Sequence, residues 1–446
     1  MSKTTTTKSL VGRVRNFYNP NAWDTEPARE TQSYLHGIRG LLAISSILWI
    51  FFHTFVPTLT AVSAGSPPDG PKYEKVIRDV FSPIFWNYSL ISSFFFILSA
   101  RSICVRFIND PKPASFAGSI IRRLVRLPIA VGLASGIASA VMKGMGTEYI
   151  QTFRNALPNS SIDVPQIPYD AVAALNSMFE LFWVVRSYYF QAANHFWPSG
   201  TIWNLSLMYQ QSWTVYFLML ILPYSRASWH IQFLGLFAAG SFWMNTWGWY
   251  DAIALLLTDY VINPKLSPQL HAGIKINEHV TIPMVMPGAL MTAAGLAMKY
   301  VWTLFPQFIN EELVLHPYID LSETTDKNSF AAADPYPRLD NFLFIFGFLL
   351  LVETTAVLRS ALSANWLVAL GKRSLSLFVA QSLVFWAGGI KLFLHLTSSG
   401  ADTATANAAV FFVCTAGTLI GGEIYYRTVD LPSQWVANWA YRWLTQ

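Results

Sequence analysis

Polar residues fill positions 1–35, and from there to the end long apolar blocks alternate with short polar joints. A helix crossing the roughly 30 Å hydrocarbon layer needs about 20 mostly apolar residues. Blocks of that kind fall near 39–59, 84–104, 127–143, 201–223, 229–246, 247–262, 282–305, 341–358, 374–395 and 404–425. The pattern therefore predicts an all-α polytopic membrane bundle of about ten transmembrane helices. The fifth and sixth blocks are the shortest and meet at the turn Asn245-Thr246-Trp247-Gly248. The apolar stretch from Ala174 to Phe190 is interrupted by Glu180 and Arg186, which fits an interfacial or re-entrant helix better than an eleventh span. Gln434 to Leu444 is short, Trp-rich and amphipathic, a pattern expected along the interface. The layout is a polar cytosolic tail (1–35), one membrane domain (36–430) and an interfacial carboxy-terminal helix (431–446). Long insertions at 144–200 and 306–340 interrupt the membrane domain. The tail has no apolar core of a cleavable signal peptide, so the first span is expected to direct insertion. No internal repeat marks an inverted-repeat transporter.

Composition agrees with this pattern. Apolar residues make up 53% of the 446 and charged residues 12%, against about 25% charged in ordinary globular domains. So few charges cannot clothe a water-exposed surface, and much of this one must face lipid. The 17 Trp and 19 Tyr suit wide membrane interfaces. The net charge of +5 lies in short joints between apolar blocks, where membrane orientation accounts for it and nucleic acid need not be invoked. With ten spans, most of the 30 Lys and Arg fall on the amino-terminal side, which places both termini in the cytosol. The opposite side receives the acidic 306–340 segment, with Glu311, Glu312, Asp320, Glu323, Asp326, Asp334 and Asp340 against Lys327 and Arg338, and the glycosylation sequon Asn159-Ser160-Ser161. The two cysteines, Cys104 and Cys414, form no metal spacing or disulfide framework.

Ionisable groups within the layer are costly and mark candidate sites. Arg39 and His53 share the first span; fourteen residues at about 100° each return to within roughly 40°, over about 21 Å of rise. An imidazole facing the bundle interior is suited to take a proton from a hydroxyl; the alternative is a histidine hydrogen-bonded at the outer interface. Arg122, Arg123 and Arg126 open the third span and, with Arg101 and Arg106, form a cationic cluster. Such a cluster could hold the phosphates of an acyl carrier, or it could serve as a positive-inside anchor touching lipid headgroups. Glu353 is a carboxylate within the eighth span, either snorkelling or paired in the bundle. Glu423 stands i, i+4 from Arg427, a structural pair. No Gly-rich phosphate loop, His-x-x-His pair or Gly-x-Ser-x-Gly elbow occurs, which disfavours NTPases, di-iron enzymes and hydrolases.

Five blocks, in order, resemble the acyltransferase-3 family of integral membrane acyltransferases. Tyr34-Leu35-His36-Gly37-Ile38-Arg39-Gly40-Leu41 is similar to its Leu-Asp-Gly-Leu-Arg-Gly opening. Ser93-Phe94-Phe95-Phe96-Ile97-Leu98-Ser99-Ala100-Arg101 resembles its Phe-Phe-x-x-Ser-Gly segment. Arg122-Arg123 with Arg126 and Pro128 resembles its Arg-Arg-x-x-Arg-x-x-Pro turn. Gly200-Thr201-Ile202-Trp203 and Leu370-Gly371-Lys372-Arg373-Ser374-Leu375-Ser376-Leu377 resemble two later blocks, and Val429-Asp430-Leu431-Pro432-Ser433 resembles the close of the fungal branch. The resemblance implies about ten spans, an acyl-CoA donor taken from the cytosol, no metal, and acylation of a small hydroxyl compound such as a secondary metabolite. Carried onto this chain, Arg122, Arg123 and Arg126 would bind the carrier, His53 would be the base, and Arg39 would orient the donor or the base.

Four positions depart from the family's pattern. Its histidine eleven residues after the arginine is Ile50 here, with His53 one turn further on. The opening Asp is His36, a later acidic residue is Met208, and a ninth-span histidine is Gln381. The reading is a membrane O-acyltransferase using acyl-CoA, acetyl-CoA first among the donors. Met208 and Gln381 keep open a transporter or lipid-shuttling protein on the same bundle.

Overall fold

The computed structural model describes residues 32–61, 70–109, 112–157, 162–184, 188–263, 266–277, 279–316 and 335–445. Residues 1–31 of the polar tail, the sequon Asn159-Ser160-Ser161, Arg186, and the loop residues Asp320, Glu323, Asp326, Lys327 and Asp334 lie outside the described residues, while 33–35 open the first helix.

The first half of the chain forms α1 (Ser33–Phe55), α2 (Lys72–Phe85), α3 (Tyr88–Asn109), α4 (Pro113–Met145), α5 (Glu148–Ala156), α6 (Ala171–Trp183), α7 (Ala192–Phe196) and α8 (Trp203–Ile221). After it come α9 (Ala227–Trp243), α10 (Gly248–Ile262), α11 (Ser267–Ala272), the hairpin β1–β2 (Ile274–Asn277, Val280–Ile282) and α12 (Val285–Leu304). The last part contains α13 (Leu339–Thr354), α14 (Ala356–Leu362), α15 (Asn365–Lys372), α16 (Ser374–Leu383), α17 (Ile390–Ser398), α18 (Thr403–Tyr425) and α19 (Leu431–Thr445). The hairpin is antiparallel, with Ile274 opposite Ile282. The all-α class holds, and each of the ten apolar blocks is helical over most of its length.

The span count is corrected. Five helices among the described residues are long and apolar enough to cross a membrane: Ser33–Phe55, Lys72–Asn109, Pro113–Met145, Ser374–Ser398 and Thr403–Leu444. A sixth is formed if α13 and α14, bent by 103° at Thr355, count as one. The remaining blocks fall short for visible reasons. α9 and α10 have 17 and 15 residues, or about 25 and 22 Å. They turn back on each other at Asn245, which takes a left-handed φ of 49°. α8 carries Asn204, Ser206, Gln210, Gln211, Ser212 and Thr214, and α12 carries Lys299.

Three spans overshoot instead, Lys72–Asn109 with 38 residues among them. α4 has 33 residues, about 50 Å. The span that starts at α18 continues through a π turn at Tyr426–Asp430 into α19. α19 packs against α4: the Tyr441 hydroxyl donates to the Ala114 carbonyl at 3.1 Å, and the Arg122 guanidinium lies 5.0 Å from the Tyr441 ring centre. The 431–446 segment, expected along an interface, thus extends a long helix and pairs with another.

Small residues set the closest approaches. A Cβ on Gly37 would overlap the Leu362 carbonyl, one on Gly40 the Leu367 carbonyl, and one on Gly371 the His36 carbonyl. α1 and the α14–α15 elbow therefore meet backbone to backbone, joining the Tyr34–Leu41 block to the Leu370–Leu377 block. α12 and α13 are joined the same way through Gly295 and Gly347. A second seam between them is polar: Lys299 and Arg338 meet Asp340 at 3.3 and 3.0 Å, and Asn341 reaches across to Ser89 and Ser93 of α3.

Candidate functional site

α1 presents Arg39, Ser46 and His53 at sevenfold spacing, every second turn of one face. His53 is half-buried. The imidazole stacks on Trp49 (centroids 4.8 Å, planes 14° apart), and Trp49 stacks on Tyr88 (4.1 Å). Tyr88 meets Trp203 edge-on at 5.8 Å. Its hydroxyl accepts from Asn204 Nδ2 at 3.0 Å and donates to the Thr201 carbonyl at 3.4 Å. An aromatic shelf thus fixes the ring plane, and no hydrogen bond from a described residue occupies a ring nitrogen of His53. Asp163, in the segment after α5, lies within electrostatic range of the ring.

Two turns nearer the amino terminus, Ser46 accepts from Gln381 Nε2 of α16 at 2.6 Å. Gln381 Oε1 is buried with no partner. Beside it Ser382 accepts from Ser199, which also bonds Thr201 at 2.7 Å. The Gly200–Trp203 block therefore reaches both Tyr88 and α16.

Arg39 ends the face. Its Nη2 donates to the Leu98 carbonyl (2.9 Å) and to Ser102 Oγ (3.0 Å) of α3, and Arg123 and Arg126 lie within its electrostatic range. Arg123 donates to Ser99 Oγ (2.9 Å) and the Met208 carbonyl (2.7 Å). Arg126 binds Asp430 Oδ1 through Nε and Nη2 (3.1 and 2.8 Å), with 37% of its side chain exposed. Arg122 turns to Gly118 and Tyr441. The structure gathers Arg39, Arg123 and Arg126 at one end of the α1 face and sends Arg122 to the α19 side. Because Asp430 offsets Arg126, the uncompensated charge sits mainly on Arg39 and Arg123, whose hydrogen-bond partners are neutral.

Arg101 leaves the expected cluster. It is fully buried and binds Glu353 at 2.7 Å, while the Tyr34 hydroxyl donates to both oxygens of Glu353 at 2.8 and 2.9 Å. Glu353 is thus paired in the bundle. No side-chain position is described for Arg106. Glu423 joins Arg427 at 2.6 Å, as its spacing predicts, and also Arg373. Cys104 and Cys414 are buried free thiols.

Sequence reasoning missed Asp430, Ser99, Ser102, Trp49, Tyr88 and Asn204. Ser99 and Asp430 lie inside blocks already singled out. Trp49 and Tyr88 are indistinguishable, by pattern, from membrane aromatics. Chemically, the face carries an imidazole at one end and a group of guanidinium side chains at the other. This defines a membrane-compatible helical bundle with a polar seam through its interior. No known protein family, no curated protein and no solved structure matches the chain.

Proposed function

We propose that the chain is a membrane O-acyltransferase that moves an acyl group from acyl-CoA, first of all acetyl-CoA, onto a hydroxyl of a small molecule such as a fungal secondary metabolite. The observation that carries the reading is the His53 imidazole, half-buried, stacked on Trp49, and on the same face of α1 as Arg39. In this reading the five long apolar helices and the bent α13–α14 pair cross the layer, six crossings in all. Both termini are then cytosolic, and the arginine end faces the compartment that holds acyl-CoA.

The chemistry needs few groups. Arg39, Arg123 and the exposed edge of Arg126 hold the carrier's phosphates through charge-assisted hydrogen bonds, and the carrier's arm follows the α1 face toward His53. A ring nitrogen of His53 takes the acceptor's hydroxyl proton as the oxygen bonds to the thioester carbonyl carbon. The carbon–sulfur bond then breaks, and the thiolate leaves with the proton from His53. No acyl-enzyme is required, because the thioester is already activated and positioning with base catalysis suffices. Trp49 and Tyr88 hold the ring for this task.

Purified protein incubated with radiolabelled acetyl-CoA and a mixture of hydroxyl compounds should move label into an acceptor. His53→Ala should abolish transfer while leaving membrane insertion intact, and full activity in that variant would remove His53 from the mechanism. Gln381 and Met208, which place no ionisable group where the resembling family has one, favour a transporter as the second reading. Acceptor crossing vesicles unmodified, with no label transferred, would decide for it.

A further inference from the structure

A groove of about 420 Å³ opens between α4 and α6, within the roughly 300–1,000 Å³ usual for small-molecule sites. Its α4 wall is made of small residues, Gly132, Ser135, Gly136 and Ser139. A Cβ at Gly132 or Gly136 would meet no atom within 4 Å, so the space is open rather than filled by the bundle. The opposite wall is Met178, Phe179, Phe182 and Trp183, and Trp197 is a further lining residue. Among the described residues, no charged side chain lines it. Two polar atoms of the wall are buried without a partner, Trp197 Nε1 and Ser135 Oγ, and Trp197 is only 3% exposed. A buried indole N–H with no acceptor is unfavourable, and a ligand oxygen would relieve it.

The groove also adjoins the candidate site. Trp197 begins the turn that ends at Thr201: the Gly200 N–H donates to the Trp197 carbonyl at 3.0 Å. The Thr201 carbonyl accepts from Tyr88, which stacks through Trp49 on His53.

We infer that this groove binds a lipophilic alcohol: an apolar skeleton lying along the small face of α4, with one oxygen accepting from the Trp197 indole. This deepens the acyl-transfer reading by assigning the acceptor's class and a lateral entry from the bilayer, and it rests on that reading only for the fate of the hydroxyl. A phospholipid chain shares the apolar chemistry, but a charged headgroup would find no charged partner in the groove.

The test uses the full chain in nanodiscs and a diazirine analogue of farnesol, with no acyl-CoA present. After irradiation, label should map to peptides covering 128–139, 171–183 or 193–197. Gly136→Phe, which fills open space, should cut that labelling about tenfold or more. Gly144→Phe, at another open position of α4 outside the groove, should leave it unchanged. Trp197→Phe, which removes the N–H together with part of the ring, should weaken labelling several-fold and serves if Gly136→Phe fails to fold. Excess farnesol should displace the probe and excess phosphatidylcholine should not. Label elsewhere, label insensitive to both groove variants, or equal displacement by phosphatidylcholine would overturn the inference. Because no transfer is measured, specific groove labelling in a protein that moves no acetyl group would leave the groove standing while the enzymatic reading fell.

Discussion

At the residue scale, the buried ionisable groups divide into those that close on each other and those that stay available. Arg101 and Glu353 belong to the first kind, locked together with Tyr34 inside the bundle where α1, α3 and α13 meet. Removing one charge from a fully buried pair leaves the other uncompensated, at a cost of about 3–5 kcal/mol, while replacing both with apolar side chains of similar volume is often neutral. Glu353→Gln is therefore expected to lower the unfolding temperature in detergent sharply, and Arg101→Met with Glu353→Leu to recover most of the loss. Equal losses in both variants would mean the pair is not coupled. Arg39 and Arg123, whose hydrogen-bond partners are neutral, test the second kind. Neutralising both should raise the apparent donor KM, and an unchanged KM would make them anchors only. Spacing alone put Arg101 with the cytosolic cations, because it shows that a residue is near a helix end but not which neighbour its side chain meets. The partner, Glu353, is 252 positions away.

At the element scale, the helices were legible and their lengths were not. Apolar periodicity located ten helical blocks, since a continuous apolar run has few alternatives in lipid. It could not show that α13 breaks at Thr355 or that α18 continues into α19, because both depend on tertiary packing. Nor did the motif glycines announce their use. Gly37, Gly40 and Gly371 sit where α1 and the α14–α15 elbow touch main chain to main chain. Gly37→Ala or Gly371→Ala must push the two apart, and neither variant is expected to purify as a monodisperse species by size exclusion. Gly144→Ala, on an open face of α4, should instead leave the protein intact and raise its stability slightly, as Ala does for Gly in helices. If the two kinds of variant behave alike, the close contact does not hold the bundle together. The His53 site was half legible for a related reason: the sequence placed the imidazole on the Arg39 face, but the Trp49–Tyr88 shelf that aims it is assembled from two helices.

At the scale of the whole molecule, the long helix α4 ties the arginine end to the 144–200 segment, and in the proposed acyl-transfer reading its direction decides whether acyl-CoA can reach the site from the cytosol. Ala114 at its start and Asn155 in the following α5 are both exposed, and α4 between them is about 50 Å long. If α4 crosses the bilayer with Arg122, Arg123 and Arg126 inside, these two positions lie in different compartments. Both native cysteines are buried, so the parent chain should show almost no background with a membrane-impermeant maleimide. In sealed cells Asn155→Cys should label at once, and Ala114→Cys only after permeabilisation. The reverse pattern would put the cationic end outside the cytosol, away from any acyl-CoA, and the acyl-transfer reading would lose its donor even with His53 stacked on Trp49. Labelling of both positions from one side would mean that α4 lies along the surface instead of crossing.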